Sequence, residues 1–217
     1  MDMVTDGSDA KSRSARVKGR FLLAAHAPVW VLVLLGIFLL GKTGTVKAGG
    51  ASEWFAVVVG LSLISFGITA AAIRASADFL PDPDDADDLR EQGRALILGS
   101  GALIAAGSSL ILLSLSGPGR LVPAAAGLIC VLFLNILSTV LAARRWRLLD
   151  EMNRAVAYEA GYLAFAWLSV IGGTWAMLAH LGFAASPAPL DWVTMFFGFN
   201  FFAGLIALAR RGGFERL

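Results

Sequence analysis

Residues 121–143, LVPAAAGLICVLFLNILSTVLAA, carry no charge and end against Arg144, Arg145, Trp146 and Arg147. A bilayer core of about 30 Å is crossed by about 20 helical residues at 1.5 Å each, and this run has that length. Its apolar residues are continuous rather than alternating. It therefore reads as a helix, because lipid offers no partner to the unpaired N–H and C=O groups of an open strand. A tryptophan among three arginines at its end marks a membrane–water interface.

Five further uncharged runs of similar length flank it, at residues 21–41, 54–73, 95–115, 160–183 and 192–209. The expected fold class is all-α: a polytopic membrane protein of six transmembrane helices arranged as three hairpins. Composition agrees, since 57% hydrophobic against 16% charged residues, with a mean hydropathy of +0.72, is more apolar surface than a soluble domain covers. The run at 21–41 exceeds the 7 to 15 residues or so of a signal-peptide core and has no convincing cleavage site after it, so an uncleaved first span is expected. Residues 1–20, with Lys11, Arg13, Arg16, Lys18 and Arg20, read as a flexible basic tail. Residues 21–209 form the membrane domain, and residues 210–217 a short C-terminal tail.

If the N-terminus is cytoplasmic, 15 of the 18 Lys and Arg lie on that side, leaving Lys42, Lys47 and Arg120 outside. The positive-inside rule then places both termini in the cytoplasm of a cell inner (plasma) membrane. Trp54 and Trp192 fall at the outer interface and Trp146 at the inner one. The outer connections, GKTGTVKAGGASE, SGPGR and GFAASPAPLD, are rich in Gly and Pro and suit turns between antiparallel helices. The three returning helices end alike, in AAAIRASADF, LAARRWRLLD and ALARRGGFER, which hints at a repeated hairpin, although Ala- and Leu-rich helices also resemble one another by composition alone. The net charge of +2 is too asymmetric in space to signal nucleic acid. Cys130 stands alone, so no internal disulfide forms.

The chemistry lies in the connections. Arg144, Arg145 and Arg147 close the fourth span, and Asp150, Glu151, Arg154 and Glu159 follow at spacings that bring Asp150 and Glu151 to the same helix face as Arg154. This set reads as a solvated turn with acids favoured by a helix N-terminus, or as a cytoplasmic docking or gating surface with Glu159 at the membrane boundary. In PDPDDADDLRE, residues 81–91, the aspartates Asp84, Asp85 and Asp88 have the DDxxD spacing, which resembles the magnesium–diphosphate motif of prenyl-chain enzymes. That resemblance implies Mg²⁺ held against a lipid diphosphate. The competing reading is a proline-blocked loop in which Asp88 caps the next helix, ahead of Glu91. A calcium EF-hand fails, with Ala86 at the fifth loop position and Gly93 where the bidentate Glu belongs. No metal or cofactor is expected.

His26 and His180 differ in depth by roughly 20 to 25 Å at 1.5 Å per residue, too far for one haem iron. Ser65, Asn135 and Asn200 lie 9, 9 and 10 residues before the first arginine that ends their helices. They share a depth near the midplane, as hydrogen-bonding glue or as a neutral polar path. Gly60, Gly67, Gly99, Gly101, Ala105, Ala106, Gly107, Gly172, Gly173, Gly198 and Gly204 permit close packing within the chain or between chains. The spans carry no Asp, Glu, Lys or Arg, and no HExxH, CxxC or Walker loop occurs.

The reading that follows is a non-enzymatic inner-membrane protein, a scaffold or subunit of a membrane complex. Its partners are the lipid bilayer and another membrane protein or a second copy of itself, with no nucleic acid. The alternatives are a small oligomeric transporter or channel using Ser65, Asn135 and Asn200, and a Mg²⁺-dependent lipid-diphosphate enzyme.

Overall fold

A computed structural model describes residues 50–75 and 92–211 of the chain. The tail 1–20, the first apolar run with His26, the aspartates Asp84, Asp85 and Asp88, and residues 212–217 lie outside the described residues. The other five apolar runs each form a helix: α1 (Ala51–Ala75), α2 (Gly93–Leu115), α3 (Ala124–Trp146), α4 (Glu151–His180) and α5 (Pro189–Arg210). All five are long and apolar enough to cross a membrane. Among the described residues there is no strand beyond one isolated bridge, Ser116 to Val122. This is the architecture of a multi-pass membrane protein.

The helix ends follow local chemistry. Helix α4 starts nine residues before its apolar run because the Asp150 carboxylate accepts the Asn153 N–H at 2.7 Å, supplying one of the first turn's missing acceptors. Its 30 residues reach about 45 Å, so the charged first turns extend past the hydrocarbon. Proline opens α5, where its absent N–H costs nothing, and the Asp191 carboxylate accepts the Ala188 N–H at 2.7 Å. Between α2 and α3 the chain reverses through Gly117 and Gly119, at φ +147° and +68°, and Gly117 N–H meets Val122 O at 3.1 Å.

The core lies where α1, α2 and α5 meet: Val59, Leu63, Ala106 and Leu110, with Leu103, Phe197 and Phe201 packed on it. Its tightest part is the crossing of α1 and α2. A Cβ on Gly60 would fall 2.7 Å from Gly107 O, and one on Gly67 would fall 2.8 Å from Ser100 O. The two backbones therefore touch at two points seven residues apart on each helix, Gly60 with Gly107 and Gly67 with Ser100. In lipid, where no hydrophobic drive brings helices together, such close approach supplies the van der Waals contact that does. The Phe66 and Phe201 rings, 4.7 Å apart and edge to face, extend the core onto α5.

Helices α3 and α4 are flanks. α3 packs on α2, where Ser138 Oγ donates to Ala102 O at 2.9 Å, and α4 packs on α5, where Trp167 meets Phe199. Within their most apolar windows only 6% of α3 and 11% of α4 is buried, against 44% of α1. Five of the six buried hydroxyls among the described residues donate inside their own helices: Ser100 to Leu96 O, Thr69 to Ser65 O, Ser109 to Ala106 O, Ser114 to Ile111 O and Thr194 to Leu190 O.

Replacing Gly60 or Gly107 by leucine forces the α1–α2 crossing apart and lowers stability in detergent by about 1 to 3 kcal/mol. Gly204→Leu, where a Cβ meets nothing within 4 Å, leaves it within about 0.5 kcal/mol. Reversible unfolding in mixed micelles measures the difference, and equal effects at the three sites contradict this packing.

Candidate functional site

The charged residues gather at two ends of the bundle. At the end where α3 finishes, Arg144 and Arg145 occupy its last turn, and Arg145 lays its side chain across Gly99 of α2, 3.1 Å from where a Cβ would stand. The chain turns through Arg147, with Leu148 N–H on Arg145 O at 2.8 Å and Leu149 buried, and Asp150 caps α4. The Trp146 and Tyr158 rings meet edge to face at 5.1 Å, which ties the end of α3 to the second turn of α4. Arg144, Arg147, Glu151 and Arg154 are exposed around this turn. No ion pair links Arg154 to Asp150 or Glu151 among the described residues.

Glu159, half-buried on α4, instead faces α5. Its Oε1 receives Arg210 Nη1 at 3.4 Å and its Oε2 receives Arg211 at 3.1 Å. Two guanidinium groups share one carboxylate, so the cluster keeps a surplus positive charge at the water boundary. The spacing along α4 alone could not reveal this, because its partners lie 51 and 52 residues away.

The opposite end is closed by another pair that sequence spacing did not show. Arg120, in the turn between α2 and α3, holds the Glu53 carboxylate through Nη2 and also donates from Nη1 to Ser114 O at 3.3 Å. The acid sits in the first turn of α1, where the helix dipole favours it. One arginine thus fastens the turn to two helices.

The midplane residues do not form a common hydrogen-bonded cluster. Ser65 is buried in the core, whereas Asn200 is exposed on α5. Asn135 and Asn200 each turn Nδ2 back onto a carbonyl four residues earlier, Val131 O at 2.9 Å and Phe196 O at 2.8 Å. His180 is exposed at the end of α4. No group of three or more His, Cys, Asp or Glu that could hold a metal occurs among the described residues.

Between α4 and α5 runs a shallow groove of about 90 Å³, lined by Gly161, Ala164, Phe165, Leu168, Phe196 and Asn200. It begins two residues beyond Glu159. At its far end α4 widens into a π-helical turn, Leu168–Gly172, a distortion frequent at functional sites. The turn sets Gly172 against the Trp192 ring, where a Cβ would come within 2.8 Å.

Glu53→Gln leaves the partly dehydrated Arg120 without its carboxylate and costs about 1 to 3 kcal/mol. Glu159→Gln, whose partners are more exposed, costs less than about 1 kcal/mol. Unfolding in mixed micelles orders the two, and a larger loss at Glu159 contradicts it. Comparison of the chain with protein-family models, curated proteins and solved structures gave no match.

Proposed function

We propose that this chain is a non-enzymatic subunit or scaffold of a membrane complex, holding its partner along α3 and residues 144–159. The observation that carries this reading is the division of labour among the described helices. Among the described residues α1, α2 and α5 make the core, whereas α3 buries Gly127 alone and presents Leu128, Ile129, Leu132, Phe133 and Ile136 outward. A helix that contributes so little to the described bundle is suited to packing against something else in the bilayer. The exposed arginines of the α3–α4 turn, with Asp150, Glu151 and Glu159, supply a polar contact at the water boundary.

In this proposal residues 21–41 supply the sixth span and complete three hairpins. Both termini face the cytoplasm of the inner (plasma) membrane, because the Lys and Arg excess belongs on that side. The transporter reading is weaker, since Asn135 and Asn200 satisfy themselves on their own helices instead of converging on a path. The lipid-diphosphate reading depends on Asp84, Asp85 and Asp88, which lie outside the described residues.

Native mass spectrometry of the gently extracted protein tests the proposal, with a stoichiometric second chain expected. Recovery of that chain falls about tenfold in an Arg147→Glu, Arg154→Glu variant, on the scale of interfacial charge pairs. Unchanged recovery in the folded variant, or a chain without any partner, overturns the scaffold reading; a homo-oligomer transfers support to the transporter.

Orientation has its own test. In a Cys130→Ser background, an impermeant maleimide added outside intact cells labels Pro118→Cys but not Leu148→Cys. The reverse pattern inverts the proposed topology.

A further inference from the structure

We propose that the groove between α4 and α5 seats a segment of one acyl chain of an anionic phospholipid, whose phosphate lies on Arg210 and Arg211. The inference needs only that the chain spans a bilayer and does not depend on a protein partner.

Gly161 is the first observation. Gly60, Gly67, Gly107 and Gly172 lack a side chain because another helix occupies its place, whereas a Cβ at Gly161, Gly173 or Gly204 meets nothing within 4 Å, and of these three Gly161 alone lines the groove. This glycine serves no helix contact among the described residues. What its missing side chain preserves is the open floor of the groove, between the exposed rings of Phe165 and Phe196. Asn200, the groove's polar lining residue, has Nδ2 returned to Phe196 O, which lowers the cost of placing hydrocarbon beside it.

Charge selects the headgroup. Glu159 stands two residues from Gly161, roughly 3 Å along the helix axis, so the Gly161 end of the groove lies close in depth to the arginine cluster. Glu159 neutralises one guanidinium and leaves the other in surplus, and the Arg210 and Arg211 side chains remain 61% and 38% exposed. A phosphate monoanion completes this set, since guanidinium groups take phosphate oxygens in bidentate fashion. A zwitterionic headgroup brings its own cation and gains less. The ligand class is therefore a phospholipid of net negative charge, entering sideways from the bilayer.

The test uses the full chain in nanodiscs of mixed phosphatidylcholine and phosphatidylglycerol, followed by native mass spectrometry after mild release. The wild type is expected to retain one phosphatidylglycerol in preference to phosphatidylcholine. Arg210→Gln and Arg211→Gln each reduce that preference about fivefold. Gly161→Leu fills the groove and abolishes retention while thermal unfolding stays unchanged.

Equal retention of both lipids by the wild type overturns the proposal, as does a folded Gly161→Leu variant that keeps phosphatidylglycerol. So does saturation of the site by inorganic phosphate alone, which marks an anion site without a chain groove. Should Gly161→Leu not fold, phosphatidylglycerol carrying a diazirine on its acyl chain decides the matter in the wild type. Crosslinks within residues 161–168 and 196–200 support the groove, and crosslinks elsewhere refute it.

Discussion

The contact of the α1 and α2 backbones at Gly60 with Gly107, and at Gly67 with Ser100, is the constraint on which the rest of the bundle depends. Lipid tails are as apolar as leucine, so burying a leucine between helices gains little over leaving it in the bilayer. Density of contact is what remains, and small residues allow most of it. Once α1 and α2 touch, Val59, Leu63, Ala106 and Leu110 enclose one another, and Phe197 and Phe201 of α5 have a surface to pack on.

Polar groups then take up the positions that this packing leaves. Serine and threonine hydroxyls near the core return to their own helices' carbonyls, so the close crossing carries little obligation to find partners across it. The longer reaches belong to arginine. Arg120 closes one end by joining the α2–α3 turn to the start of α1, and Arg210 and Arg211 close the other by joining α5 to α4. These ion pairs lie near the helix ends, where water shares the cost of their charge.

The flanks carry the functional reading for the same physical reason. α3 leans on α2 and α4 leans on α5, and each presents an apolar face to whatever the membrane supplies. On α3 that face is broad and aliphatic and ends in arginines, which suits a protein neighbour. On α4 and α5 it is broken by a groove, an unfilled glycine and a π-turn beneath a surplus of positive charge, which suits a lipid.

Much of this was legible in the residues alone. Continuous uncharged runs of about 20 residues specify membrane-length helices whatever their neighbours are, because every backbone group must be satisfied within the segment. The five runs among the described residues each became such a helix, with ends displaced by local caps such as Asp150 and Pro189. Gly60, Gly67 and Gly107 were visible too as small residues, but the seven-residue spacing of Gly60 to Gly67, matched by that of Ser100 to Gly107, is a signal that reading for small residues alone left unused. Only the tertiary structure decided that they face one another and that Gly161 faces nothing. It likewise paired Glu53 with Arg120 and Glu159 with Arg210 and Arg211, where helical spacing had pointed to Asp150 and Glu151 as the acids facing Arg154. Span and length are properties of a segment against its solvent, so sequence determined them. Partner choice compares faces that are all apolar and nearly equivalent in composition, and shape, which only the folded bundle has, makes the selection.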